Sequence, residues 1–157
     1  MESPESFWTR CCKALGPEAR RRGYTARRIG NTPELVDQVL ELVISGQKRG
    51  TFSLPEGLAR AGTTPAPGDY VVLTRYDGEA GCLILMEACE TMRFDQVGPG
   101  ELEIEGPDAR DPAVWRDIHE QYWTPMLAAW GQAFTPSQPV LVQRFQLLET
   151  ARWQGRR

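Results

Sequence analysis

The sequence predicts an α+β fold, with helices flanking a small antiparallel sheet that curls toward a barrel. Three observations predict it. Residues 31–46, "NTPELVDQVLELVISG", carry a complete amphipathic-helix signature. Two apolar runs, "YVVLTRY" and "CLILMEACETMRF", are joined by the turn "DGEAG" and read as a hairpin. A further run near the end, "QPVLVQRFQLLE", reads as a last long strand.

In chain order, "PESFWTRCCKAL" sets Phe7, Cys11 and Leu15 on one helical stripe, which Gly16-Pro17 stops. "EARRRGYTARRIG" is basic, with Tyr24 and Ile29 as anchors. The next helix has Thr32 as N-cap, Pro33 at its first position and Glu34 at the positive end of its dipole. Leu35, Val36, Val39, Leu40, Val43 and Ile44 repeat at helical spacing, and Gly46 is the stop. "TFSL" is short, and "PEGLARAGTTPAPGD" is loop with one helical turn. After the hairpin, "DQVGPGELEIEGPDARDP" is an acidic loop carrying a helical turn or two. "AVWRDIHEQYWTPMLAAWG" reads as a helix broken near Pro125.

At 157 residues with 41% hydrophobic and 25% charged side chains, one globular domain is expected. No apolar run approaches the roughly 20 residues that span a bilayer, and the acidic, polar start has no signal-peptide core, so a cytoplasmic location and no membrane partner are expected. The four cysteines, Cys11, Cys12, Cys82 and Cys89, contain no C-x-x-C pair and stand beside a single histidine. Free, mostly buried thiols follow, with no metal and no cofactor. The net charge of −3 is unevenly spread. Residues 1–30 hold seven basic and three acidic side chains, and residues 77–120 hold three basic and twelve acidic ones. Such asymmetry either steers an anionic partner or is a solvated surface.

The blocks "NTPELVDQVLELVISGQKRGT", "PGDYVVL", "GCLI", "FDQV", "WRDIHEQYW" and "PVLVQRFQLL" occur in an order that resembles ASCH-domain proteins, over about Gly30 to Leu148. The resemblance is to the longer bacterial branch. It implies a PUA-like small antiparallel β-barrel with flanking helices. It also divides the chain into a basic helical extension packed on the domain (1–29), the domain (30–150) and a basic tail (151–157). The family's G-x-K-x-x-T element stands here as Gly46-Gln47-Lys48-Arg49-Gly50-Thr51. The resemblance implies a role with RNA or a nucleoside or nucleotide ligand, and some relatives act as ribonucleases. A smaller branch hydrolyses the amide of acetylated cytidine nucleosides with a lysine, a threonine and a glutamate. The first two carry over to Lys48 and Thr51, while Glu103, Glu105 and Asp108 compete for the third role, with Glu105 chosen.

Lys48 and Thr51 are three apart, so in a strand they would face opposite ways; they converge only if the chain turns, which a positive φ at Gly50 allows. A desolvated lysine is a base, a neighbouring threonine hydroxyl a nucleophile, and a carboxylic acid a proton donor to the leaving group. The structural alternative is a helix end neutralised by Lys48 and Arg49, with Thr51 and Ser53 in a turn. His119 is a candidate acid or base, or else a packed helix-face histidine. Arg49, Arg60 and Arg75 are candidate phosphate contacts, with Ser53 beside them. Tyr122 and Trp123, with Phe52 and Tyr76, are candidate stacking rings that serve equally as packing. A non-catalytic RNA-binding module needs only the cations and a ring; an enzyme needs an acid or His119 within reach of Lys48 and Thr51.

Overall fold

Proline opens every α-helix of the computed structural model, which describes residues 1–152. The helices are α1 (Pro4–Leu15), α2 (Pro17–Arg22), α3 (Pro33–Ile44), α4 (Pro55–Ala61), α5 (Pro99–Leu102) and α6 (Pro112–Ala129). The first helical position has no intrahelical use for an N–H, and proline's fixed φ suits it. Ser3, Thr32 and Asp111 complete three of these starts by accepting backbone N–H bonds with their side chains. The strands are β1 (Tyr24–Arg27), β2 (Gly50–Ser53), β3 (Tyr70–Thr74), β4 (Ala80–Arg93) and β5 (Pro139–Thr150), hydrogen-bonded in the order β1-β3-β4-β5-β2.

Three expectations need correction. The sheet is not closed: β1 and β2 are its two ends, so the barrel closure drawn from the sequence is not formed by the described strand pairs. Nor is the sheet wholly antiparallel, since β1, inside the basic stretch, pairs parallel with β3 from Tyr24↔Tyr70 to Arg27↔Leu73. And α6 runs unbroken through Pro125. The proline lies in its second-last turn, where one backbone bond is lost, while Trp123 and Leu127 on either side are buried and hold the helix in place.

The described chain divides into two compact units. The first comprises Met1–Arg49, Ala66–Glu87 and the chain from Phe145 on. There Phe7, Trp8, Cys11, Cys12 and Ala19 of α1 and α2 pack on Val72, Ala80 and Leu83. Trp8 lies against Tyr24 and Tyr70, at 5.2 and 5.3 Å between ring centres. The carboxylate of Glu2 clamps this layer: it accepts from Arg10 Nε and Nη2 at 2.9 and 2.8 Å and from the backbone N–H of Arg152 at 2.7 Å. α3 meets β4 at Gly81, where Leu40 occupies the space a Cβ would take. The basic tail expected over 151–157 lies outside the described residues beyond Arg152.

The second unit comprises Gly50–Pro65 and Ala88–Arg144. Its core joins Phe52 and Leu54, Val140 and Val142, Phe94, Val97, Leu102 and Ile104 to Trp115, Trp123 and Leu127 of α6. β2 pairs antiparallel with β5 from Gly50↔Arg144 to Ser53↔Leu141.

Candidate functional site

β2 is four residues long and buried on both faces. Alternation sends Phe52 into the aromatic core with Val142, and Thr51 and Ser53 to the other side with Gln143. That other side carries polar groups beside Leu141, opposite Ser53, and yet is closed: Thr51 is 6% exposed and Gln143 fully buried. Gln143 stands opposite Thr51 in the ladder, and its Nε2 donates to Ser53 Oγ at 2.8 Å. Burying a hydroxyl or amide costs free energy unless it is hydrogen-bonded, so a strand that served packing alone would carry valine there. Gln143 had no sequence signal; a glutamine in a half-apolar run looks like a solvent-facing strand position.

Gly50 differs from its expected role. It is the first residue of β2, and its φ is not positive. Glycine is required for space: a Cβ there would stand 2.3 Å from the carbonyl oxygen of Gln143 and 2.4 Å from Ile104 Cδ1. Through Ile104 the turn after α5 is pressed onto β2, one residue from Thr51. The same turn separates the three competing acids. Glu105 is 7% exposed, whereas Asp108 is exposed and Glu103 lies in solvent, 3.7 Å from Arg144. The backbone carbonyl of Glu105 accepts from Arg110 Nε at 2.7 Å, which anchors that turn.

Lys48 belongs to the first unit and is 5% exposed. Its N–H donates to the carbonyl of Leu42 at 2.9 Å, and Ser45 Oγ donates to the same oxygen at 3.1 Å. The end of α3 is thus satisfied by backbone and serine, and the lysine side chain lies in the interior, not at a solvated helix terminus. Arg49 is exposed and holds β5 through its carbonyl, which accepts from the Phe145 N–H at 3.0 Å.

His119 is half-buried on α6, stacked on Trp115 with ring centres 4.4 Å apart and flanked by Trp123 at 4.9 Å. Its Nδ1 lies 2.8 Å from the carbonyl oxygen of Trp115. A carbonyl only accepts, so Nδ1 carries the proton and the lone pair of the neutral ring sits on Nε2. Trp123 is part of the core, packed on Phe94 and Trp115, while Tyr122 is exposed on the helix. Arg60 is already engaged, bonded to Glu56 at 2.8 Å and lying over the ring of Trp130 at 4.9 Å. Arg75, in the first unit, has a largely buried side chain whose Nε is 3.9 Å from Asp77. Among the described residues, no three His, Cys, Asp or Glu side chains gather where they could hold a metal ion. Among them, too, no helix is long and apolar enough to cross a membrane.

A family model described as "ASCH domain" matches residues 25–149. No curated protein matches the chain. Solved structures share its fold, two of them as follows. One is an ASCH domain from Lactobacillus crispatus, 18% identical, covering 91% of this chain and 92% of that one with a TM-score of 0.81. The other is protein EF3133 from Enterococcus faecalis, 20% identical, covering 93% of this chain and 88% of that one with a TM-score of 0.80.

Proposed function

The chain belongs to the ASCH domain family, and on that premise we propose that it binds RNA or a nucleotide-like ligand and hydrolyses it, as a ribonuclease. One observation carries the reading. The interior holds few polar or charged side chains, and Lys48, Thr51 and Glu105 are among them. An amine, a hydroxyl and a carboxyl are poor packing material, and an ionised group costs several kcal/mol to bury unless it is compensated. An amine is a group that can serve as a base, and a carboxyl one that can serve as a proton donor. In a ribonuclease, a base takes the proton of the ribose 2′-hydroxyl, which attacks the adjoining phosphate, and an acid protonates the departing 5′-oxygen. Lys48, Glu105 and the tautomer-defined His119 are the groups proposed for these roles.

The burial of Glu105, alone among the three acids, favours a second reading: amide hydrolysis on an acylated, acetylcytidine-like nucleoside. Here Lys48 accepts the Thr51 proton, Thr51 Oγ attacks the acyl carbon, and Glu105 protonates the departing amine. Water then cleaves the acyl-threonine ester. The two readings differ in what Thr51 does, because RNA cleavage supplies its own nucleophile.

The test is a panel of short single-stranded RNAs and N4-acetylcytidine, assayed for binding by calorimetry and for products by mass spectrometry. Turnover that disappears in Lys48→Met is the expected result. Binding without turnover would leave a recognition module, and neither binding nor turnover across the panel would overturn the proposal.

A further inference from the structure

The nine residues from Arg20 to Arg28 hold five arginines and no acid, and the first unit spreads them along an edge. β1 is the end strand of the sheet, and its Thr25 and Ala26 are exposed. The arginines of α2 stand at one end of the β1–β3 pair. Arg22 Nη2 donates to the carbonyl of Pro67 at 3.4 Å and lies 3.9 Å from Asp69, just before β3 begins. Arg20 and Arg21 precede it and are exposed. At the other end, the exposed Arg28 lies over the ring of Tyr76, 4.5 Å from its centre, and donates to the Tyr76 carbonyl at 3.3 Å. Between Tyr24 and Arg28 the extended chain covers roughly 13 Å, four steps of about 3.3 Å each.

Basic side chains by themselves guard an end strand against pairing with another chain. That role asks nothing of Tyr76. The tyrosine stands in the turn that follows β3, 44% exposed, where a small polar residue would serve the turn as well. A ring braced by a guanidinium is a flat, ordered surface, and bases stack on tyrosine rings and on arginine planes alike. Cations along an exposed strand, with a stacking ring at one end, suit a single-stranded polyanion that carries bases. An acidic peptide would use the cations and leave the ring idle. We propose that this edge of the first unit is a contact surface for single-stranded RNA, with Arg20, Arg21 and Arg22 on phosphates and a base stacked on Tyr76 and Arg28. The inference rests on the reading of the ligand as RNA. It goes beyond that reading in making affinity grow with the length of the strand.

The full-length protein is titrated with a fluorescein-labelled, 2′-O-methylated oligouridylate of about twelve nucleotides, followed by anisotropy over a series of potassium chloride concentrations. Methylation removes the attacking hydroxyl and keeps the strand whole. Uridine 5′-monophosphate is titrated in parallel by calorimetry. The oligonucleotide should bind at least about ten-fold tighter than the monophosphate. Tyr76→Ala should weaken the oligonucleotide by about ten-fold. Arg20→Gln combined with Arg21→Gln should flatten the slope of log affinity against log salt by about 1.4, two phosphates at about 0.7 each. Neither change should move the affinity for the monophosphate. Arg93→Gln, the same change of charge at an exposed position of the second unit, should leave the slope as it is. An oligonucleotide bound equally well by wild type, Tyr76→Ala and the double arginine variant would overturn the surface and leave the RNA reading standing. A loss confined to the arginine variant, with polyglutamate displacing the strand, would overturn the RNA surface in favour of one for acidic chains. No binding of the oligonucleotide at low salt would end both the surface and the RNA reading.

Discussion

The helical layer of the first unit and the β2–β5 ladder of the second bury side chains on opposite principles. Beneath α1 and α2 the contacts are apolar rings, aliphatic side chains and thiols. Burial there pushes the Cys11 thiol up to about 11, so it stays a protonated, inert packing group. On the ladder, one face buries Phe52 and Val142 in the same manner, and the other buries Thr51, Ser53 and Gln143. Both environments exclude water, yet only one spends that exclusion on polar groups. Interior position alone therefore does not identify structural residues in this chain. What separates support from candidate chemistry is which side chains the interior accepts.

The comparison breaks most readily at its apolar pole. Leu83→Ala, deep in the helical layer, should lower unfolding free energy by about 3 kcal/mol, through lost transfer energy and the cavity left behind. Gly50→Ala should cost about as much by the opposite route, forcing a methyl group against Gln143 and Ile104. Denaturant unfolding reads both. If either change proves neutral, the packing described for that unit is wrong.

Much of the helical framework was legible in the sequence because its signals are local. Thr32-Pro33 starts α3 and Gly46, at φ 81°, follows its end. The return strand of the hairpin is β4, fourteen residues from Ala80 to Arg93. What local pattern did not carry was decided by tertiary partners. β1 escaped notice because Thr25 and Ala26 are exposed and its pairing with β3 is non-local. Pro125 looked like a break until Trp123 and Leu127 were seen to fix the helix around it. At the site, Lys48 and Thr51 were picked out by their motif, but Glu103, Glu105 and Asp108 are chemically equivalent in sequence. Only the packing of Ile104 on Gly50 distinguishes the turn that carries the buried one.

A smaller effect tests the clamp on the helical layer. Arg10 holds the Glu2 carboxyl down to about 2 from its usual 4.5, through hydrogen bonds first, aided by the Arg152 N–H and against the opposing effect of burial. A depressed carboxylate pKa gives stability that is complete above pH 4.5 and is lost as the pH falls toward 2. Glu2→Gln should therefore cost about 1–2 kcal/mol at pH 7, the partly exposed pair being discounted for screening. The difference from wild type should shrink below pH 4.5 and vanish near pH 2. A difference independent of pH would assign the effect to packing and not to charge.

At the polar pole the expected change in stability is smallest. Gln143→Leu replaces a buried amide by an apolar side chain of similar volume. Its effect should fall within about 1 kcal/mol of neutral, because the loss of the Ser53 bond is offset by an end to amide desolvation. Ligand binding should nevertheless weaken. A loss comparable to that of Leu83→Ala would make Gln143 a structural residue and remove the contrast between the two regions.

The central claim, that the closed polar face serves chemistry and not folding, is tested most directly at Thr51. Thr51→Val keeps the shape and the β-branch and deletes only the hydroxyl; Thr51→Ser keeps the hydroxyl. Unfolding free energy and hydrolysis of N4-acetylcytidine are measured on the same preparations. The account predicts a Thr51→Val protein as stable as wild type within about 1 kcal/mol, without amide hydrolysis, and a Thr51→Ser protein that retains some of it. Wild-type hydrolysis of N4-acetylcytidine by a well-folded Thr51→Val protein would contradict it.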